Sequence, residues 1–190
     1  MVFVAPNWWE GLLINIGIYL GLFVLTLGIT ILIVLKTKKN IVLKIIGLCA
    51  GFCIAIIITT VAGGFIWYES YELPSVNEKI ITVSSFEPVP GIETNDNGMM
   101  IINNADQIMV VDSEGNGWFN KEASWFQKWD TRDVLNQLKI NGTYKIKYYG
   151  WRNPFNSGFP NILSIEEAID ETNATKPNYN ELFGVKFTGF

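Results

Sequence analysis

The pattern of apolar positions divides the chain into two regions that meet near Tyr68. Residues 11–35 and 45–68 form two runs without a single charged side chain. At about 1.5 Å per residue, each run is long enough to cross a hydrocarbon core of about 30 Å as a helix. The pattern therefore predicts a transmembrane helical hairpin over residues 1–68, a linker over residues 69–78 and a separate domain over residues 79–190.

The charges around these runs predict the orientation of the hairpin. The connection KTKKNIVLK holds four lysines, and basic residues in short loops mark the cytoplasmic side of a membrane. A secretory signal peptide is the alternative for the first run, but Glu10 is the only charged residue before it and no basic segment precedes it. We expect a multi-pass protein of the plasma membrane, embedded in the lipid bilayer, with both termini extracytoplasmic.

Small residues in the two runs indicate where the helices approach each other. The candidates for helix packing are Gly17, Gly21, Gly28, Gly47 and Gly51. In an antiparallel hairpin Gly17 and Gly21 lie in the outer half, so Gly28 is the better match in depth for Gly47 and Gly51. Two interpretations stay open, packing within the hairpin or a surface for another membrane subunit.

Beyond the linker, the pattern changes to short segments that are typical of an all-β domain. We expect strands at KIITVSSFEPVPG, MMIINN, QIMVVD, TYKIKYYG and NILSIEEAI, with a short helix at DTRDVLNQL between the third and fourth strands. This is the element order of an OB-like five-stranded barrel, with an irregular β-sandwich as the alternative. The tail from Asp170 to Phe190 is expected to wrap the surface or to pair through GVKFTGF at an edge.

Net charge and residue types limit the chemistry of the outer domain. From Glu69 onward there are ten Lys or Arg residues against seventeen Asp or Glu residues, so nucleic acid is not expected as a partner. The chain has no histidine, which removes the commonest ligand of catalytic metals and the usual base of a nucleophilic triad. We expect no metal, no cofactor and no enzymatic activity.

One motif resembles a known family. The run YYGWRNPFNSGFPN, Tyr148 to Asn161, resembles the YGWR-then-FPN signature of an uncharacterised family of small bacterial membrane-anchored proteins, a domain of unknown function. Asn104 to Asp106 and Trp118 to Trp129 are similar to that family's Asn-Glu-Asp turn and aromatic segment, although Ala105 stands where an acidic residue is usual. The resemblance implies one folded module and carries no activity.

The aromatic segment GWFNKEASWFQKW is the strongest candidate for a binding surface. Its five large rings are Trp118, Phe119, Trp125, Phe126 and Trp129. As a helix the segment would gather them on one side, and as a loop it could fold them back on the domain. Lys121 and Lys128 beside the rings suit contact with lipid phosphate. Because five rings are more than a small domain easily encloses, we expect Trp118 inside and at least one of Trp125 and Trp129 outside.

Arg152, one polar turn and two glycosylation sequons are further candidates. Arg152 is either a structural clamp for its loop or an anion hook for a ligand. Asp112 to Asn116 reads as a polar turn in preference to a calcium loop, because position 123 is alanine where a distal acidic ligand would stand. Asn141 and Asn173 begin glycosylation sequons.

Together these features predict a function without catalysis. We expect an accessory or structural membrane protein that presents an acidic extracytoplasmic β module to a protein partner or membrane complex. The alternative is an extracytoplasmic module that binds or senses an oligosaccharide or a peptide.

Overall fold

The computed structural model describes residues 3–38, 40–91, 102, 104–154 and 157–178. The chain divides into two compact units, Met1–Pro74 and Ser75–Phe190. Helices make up the first unit, and strands dominate the second.

Helices α1 (Trp8–Lys36) and α2 (Ile41–Trp67) form the first unit, and both are long and apolar enough to span a membrane. Each begins at an asparagine. The Asn7 backbone N–H donates to Glu10 Oε2 at 3.0 Å, and Asn40 Oδ1 accepts from the Leu43 backbone N–H at 3.0 Å. Such caps satisfy amide groups that have no partner inside the helix. The two helices predicted from the charge-free runs are confirmed.

The helices pack through a row of small residues on α2. Gly51, Ala55, Thr59 and Gly63 are buried at four-residue intervals. A Cβ atom added at Gly51 would lie 2.0 Å from Thr30 Cγ2 of α1, and one at Gly63 would lie 2.9 Å from the Tyr19 ring. A Cβ atom at Gly47 would lie 3.3 Å from Val34 Cγ2. The row is therefore the surface that brings the two backbones together.

The glycines of α1 do not take part in this contact. A Cβ atom added at Gly17, Gly21 or Gly28 would meet no atom within 4 Å. The expected match of Gly28 with Gly47 and Gly51 is wrong, because the larger side chains of Thr30 and Val34 fill those positions on α1.

Five strands and one helix build the second unit. They are β1 (Asn77–Pro88), β2 (Ile108–Asp112), β3 (Gly117–Phe119), α3 (Thr131–Gln137), β4 (Thr143–Tyr149) and β5 (Asn161–Asp170). The pairings form a closed ring in the order β1-β2-β3-β5-β4. All pairs are antiparallel except β3 with β5, which run parallel where Phe119 lies opposite Asn161.

Strand β1 pairs with a different neighbour along each half of its length. Its first half, from Asn77 to Thr82, pairs with β4, and its second half, from Val83 to Pro88, pairs with β2. The register shifts between Val83 and Ser85. Irregularities of this kind bend a strand and increase its twist, which lets one strand serve two neighbours.

The interior of the ring is apolar. Its buried residues are Ile81, Val83, Val110, Trp118, Val134, Leu138, Tyr144, Ile146 and Ile162. The alternation predicted for β4 is realised, since Tyr144 and Ile146 point inward while Lys145 and Lys147 are only half-buried. A second, smaller cluster consists of Ile102, Ala105, Ile108 and Leu135, and Phe86 packs against both.

One predicted strand differs from the structure. The segment MMIINN was expected as a strand, but residues 99–101 and 103 lie outside the described residues, and Ile102 is not in a strand. The third strand of the ring is instead β3, which comes from the aromatic segment. Strand β3 requires glycine at position 117, because a Cβ atom there would lie only 2.7 Å from Met109 Sδ and 2.8 Å from the Phe159 ring. The tail segment GVKFTGF also lies outside the described residues.

The packing row on α2 leads to a test with a matched control. Gly51→Leu should force the helices apart by its clash with Thr30, whereas Gly21→Leu should be tolerated. Overpacking of this kind costs about 1 to 3 kcal/mol. Disulfide formation between Val34→Cys and Gly47→Cys, with the native cysteines replaced, measures the approach of the helices in membranes. Equal cross-linking in both leucine variants would contradict the contact described here.

Candidate binding surface

The aromatic segment is divided between the core and the surface. Trp118 lies on β3 and is 4% exposed, and its Nε1 donates to Asp112 Oδ2 at 3.0 Å. Its ring packs edge to face on Tyr148 at 4.9 Å between centroids. Trp125 and Trp129, in contrast, are 44% and 62% exposed. The segment is neither one helix nor a loop folded wholly inward.

A tight turn presents the outer part of the segment. The backbones of Ala123 and Lys128 pair with each other, and a 3-10 turn from Ser124 to Phe126 forms the tip. Gln127 closes the tip in the left-handed region at φ 55°. Phe126 packs on Tyr149 with 4.3 Å between centroids, which leaves Trp125 and Trp129 as the exposed rings.

Lys128 stabilises this turn through hydrogen bonds inside the domain. The side chain is buried, and its Nζ donates to Asn120 Oδ1 at 2.7 Å and to the Ile162 carbonyl oxygen. Asn120 Nδ2 donates in turn to the Thr131 carbonyl oxygen at 2.7 Å. The interpretation of Lys128 as a cation that faces lipid phosphate is wrong, because its ammonium group is directed into the domain.

Phe119, the remaining aromatic residue of the segment, belongs to a cluster of two rings and two cations. Lys121 Nζ lies 3.9 Å from the centroid of Phe119, and the Arg152 guanidinium lies 4.0 Å from that of Phe159. The two rings pack edge to face at 5.3 Å. Each cation therefore covers one ring of the pair, an arrangement that is favourable because ring faces are electron-rich. We call these four residues the cation–aromatic cluster.

Arg152 also closes its own loop. Its Nη1 donates to the carbonyl oxygens of Asn153 at 3.0 Å and Gly158 at 2.8 Å, and these two residues exchange backbone hydrogen bonds at 2.9 Å. The structure supports the clamp interpretation of Arg152, with a phenylalanine as the ring it stacks on. The side chain is nevertheless exposed.

Asn161 joins the loop to the aromatic segment. Its Oδ1 accepts from the Lys121 backbone N–H at 2.7 Å, and its Nδ2 donates to the Lys121 carbonyl oxygen at 3.0 Å. The same Nδ2 lies 3.4 Å from the Tyr149 hydroxyl. Asn161 is the last residue of the FPN motif, so the motif and the aromatic segment form one surface. Sequence reasoning did not single out Asn161, Phe159 or Tyr149 as site residues, although their occurrence within the run from Tyr148 to Asn161 was a usable signal.

The polar turn after β2 is a hydrogen-bonded hairpin. Asp112 Oδ1 accepts from the backbone N–H groups of Glu114 at 3.0 Å and Asn116 at 2.8 Å. Burial would raise the pKa of Asp112, but the hydrogen bonds from Asn116, Trp118 and Glu114 outweigh it and hold the pKa below its ordinary value. The carboxylate is thus occupied by the turn and by Trp118. Among the residues that the structure describes, no three His, Cys, Asp or Glu side chains are grouped as metal ligands.

The remaining predicted positions lie elsewhere on the domain. Asn141 and Asn173 are exposed, and the backbone pairing of Ile140 with Thr175 brings the two sequons together. Their glycosylation stays a prediction. Ala105 is buried in the smaller apolar cluster, where an acidic side chain would be costly to bury.

The second unit is thus a ring of five strands with an aromatic surface beside it. Residues 99–188, which include β2 to β5 and the whole surface, match the model of a family described as a protein of unknown function (DUF1523). The expectation of an uncharacterised family is confirmed. Neither the curated proteins nor the solved structures contain a match.

Burial of Lys128 has a consequence for stability. Burial lowers the pKa of its ammonium group from 10.5 to about 8, and the charge of Asp130 opposes this only in part. Since the unfolded chain holds this proton more tightly, the cost of burying the charge is complete below pH 8 and is relieved as pH rises toward 10.5. We expect the free energy of unfolding, relative to that of Lys128→Met, to increase between pH 8 and 10.

Chemical denaturation of both proteins across this range measures the effect. At pH 7 the variant should be less stable by about 1 to 3 kcal/mol, because Asn120 Oδ1 and the Ile162 carbonyl oxygen lose their donor. A difference that is constant from pH 7 to 10 would show that Lys128 does not titrate in this range.

Proposed function

We propose that this chain is a membrane-anchored, non-catalytic module that binds a protein partner through Trp125 and Trp129. The observation that carries the proposal is the exposure of two large indole rings on a turn that Lys128 and Asn120 hold from inside. Exposed tryptophans on a rigid support are typical of the centres of protein interfaces, because they bury much area at little cost in side-chain entropy.

The helical unit supports an anchor in the plasma membrane. Apolar side chains are exposed all around α1 and α2, and a helix that is apolar on every side is stable in water only when it is covered. The basic connection between the helices favours a cytoplasmic loop and extracytoplasmic termini. Gly17 and Gly21, which do not contact α2, leave a surface for a further membrane subunit.

The assignment of a non-catalytic role rests on how the buried polar groups are used. Tyr144, whose pKa is raised by burial and by Glu171, donates to Glu171 Oε1 at 2.7 Å and accepts from the Lys139 backbone N–H at 3.1 Å. Lys128 and Asp112 are similarly engaged in hydrogen bonds that support the fold. All three side chains therefore have hydrogen-bond partners within the domain.

A second candidate function is the binding of an extracytoplasmic ligand. The strand order β1-β2-β3-β5-β4, with a helix between β3 and β4, supports assignment to the OB-type barrels. Such barrels bind oligosaccharides and oligonucleotides on the face of the second and third strands, between the loops that follow the first and fourth. The cation–aromatic cluster occupies the corresponding place, since it lies at β3 and in the loop between β4 and β5.

The anchor can be tested by labelling single cysteines from outside intact cells. In a background without Cys49 and Cys53, Asn173→Cys should react with a membrane-impermeant maleimide, whereas Lys38→Cys should react only after the membrane is opened. As a control, both cysteines should react with the maleimide when the membrane is opened before labelling. Labelling of Lys38→Cys alone in intact cells would show that the orientation is inverted.

The partner surface can be tested by cross-linking in native membranes followed by gentle purification. The double variant Trp125→Ala/Trp129→Ala should lose most of the cross-linked complex and keep its melting temperature, whereas Ile169→Ala, which removes another exposed apolar side chain, should keep both. Trp118→Ala should instead cost about 3 to 5 kcal/mol of stability, because that ring is core. A wild-type chain that is purified as a free monomer under all conditions would contradict the proposal.

A further inference from the structure

The segment that carries the exposed indoles has balanced charges in the sequence and unbalanced charges on the folded surface. From position 121 to 130 its charged residues are Lys121, Glu122, Lys128 and Asp130. Lys128 is buried, and Lys121 is half-buried with its Nζ 3.9 Å from the centroid of the Phe119 ring. Glu122 and Asp130 are exposed. The fold therefore leaves two carboxylates in water, while one lysine is inside the domain and the other lies over a ring.

The backbone pairing of the turn places Glu122 on the same face as Trp129. Ala123 and Lys128 exchange two backbone hydrogen bonds of 3.1 Å, and the side chains of both are buried. Successive side chains on paired extended backbone point to opposite faces. The residues that flank the pair, Glu122 and Trp129, therefore share the outward face on the two sides of the turn, and both are exposed. Asp130 follows Trp129 directly.

Both carboxylates are open to a partner. In the part of the chain that the structure describes, no salt bridge includes Glu122 or Asp130. Asp130 is the N-cap residue of α3, but its side chain makes no capping hydrogen bond. Arg132 and Asp133, in the first turn of α3, are exposed and of opposite charge. The exposed surface around Trp129 thus combines an indole ring with a net negative charge.

The charge of this surface selects the chemistry of the partner. From Glu69 onward the chain has seventeen Asp or Glu residues against ten Lys or Arg residues, so a second copy, an anionic lipid surface or a nucleic acid would be repelled. A neutral apolar surface would cover the indole and leave desolvated carboxylates unpaired, which is costly. A guanidinium group satisfies both features, because it stacks on an indole face and pairs with a carboxylate.

We propose that the turn from Ala123 to Lys128 binds a basic segment of a partner protein, in which an arginine stacks on Trp129 and pairs with Glu122. Asp130 adds to the attraction. This inference rests on the proposed function, since it names the chemistry of the partner that the exposed indoles bind.

The experiment titrates the full chain, in an uncharged detergent, with peptides of defined charge by calorimetry. We expect saturable binding of hexa-arginine, no binding of hexaglutamate, and weaker binding of hexalysine, because an ammonium group is more strongly hydrated and stacks less well on a ring. Trp129→Ala and Glu122→Gln should each weaken the binding of hexa-arginine about tenfold, the loss expected for one cation–π contact or one charge-assisted hydrogen bond. Both variants should keep their melting temperature, because both side chains are exposed.

Glu167→Gln is the matched control for Glu122→Gln. Glu167 is an exposed carboxylate on β5, six residues beyond Asn161, which binds the Lys121 backbone. This corresponds to about 20 Å along the strand, well beyond the screening length of about 8 Å at physiological salt. Its replacement should change the affinity for hexa-arginine less than twofold.

Each other outcome overturns the inference. Absence of saturable heat with hexa-arginine, or equal binding of hexaglutamate, would exclude a basic partner segment. Equal weakening by Glu167→Gln would reduce the binding to general attraction by the acidic domain. Equal binding of hexalysine, or full binding by Trp129→Ala, would exclude the stacked arginine.

Cross-linking in native membranes separates this inference from the proposed function. Glu122→Gln/Asp130→Asn should lose most of the cross-linked complex, as Trp125→Ala/Trp129→Ala does. If the tryptophan variant loses the complex and the charge variant keeps it, the partner surface stands and the basic segment is excluded. If the tryptophan variant keeps the complex, the proposed function itself fails.

Discussion

The parallel contact between β3 and β5 is the constraint on which the second unit depends. Strand β3 has only three residues, and its one ladder partner on this side is Asn161. The Phe119 backbone N–H donates to the Pro160 carbonyl oxygen at 2.8 Å, and the Asn161 side chain binds both backbone groups of Lys121. Closing the ring here brings the loop between β4 and β5 against β3, and the cation–aromatic cluster is the result.

The exposed indoles depend on a buried charge. Removing an ammonium group from water is costly unless hydrogen bonds compensate for its hydration. Two acceptors, Asn120 Oδ1 and the Ile162 carbonyl oxygen, provide this compensation for Lys128. The same bonds tie the aromatic turn to β5 and, through Asn120, to the start of α3. These bonds hold the turn in place while Trp125 and Trp129 remain 44% and 62% exposed.

The helical unit follows a different principle. In lipid no hydrophobic force brings helices together, so contact depends on how closely the backbones approach. On α2 the row from Gly51 to Gly63 allows this approach, and Tyr19 and Thr30 of α1 fill the space above it. Small residues on one helix thus meet larger ones on the other, and the glycines of α1 remain outside the contact.

The sequence by itself determined the two helices and most strands, because charge-free length and alternation are local properties that survive in the folded chain. The alternating positions of Tyr144 and Ile146 were correctly placed inside, and Trp118 was correctly separated from the exposed rings. The tertiary structure alone decided which helix faces meet, because a uniformly apolar helix contains no signal for its rotation. It likewise decided that Lys128 is buried, that β3 arises from the aromatic segment and that Asn161 joins two distant motifs. These features depend on contacts between residues far apart in the chain, and such contacts leave no periodic pattern in the sequence.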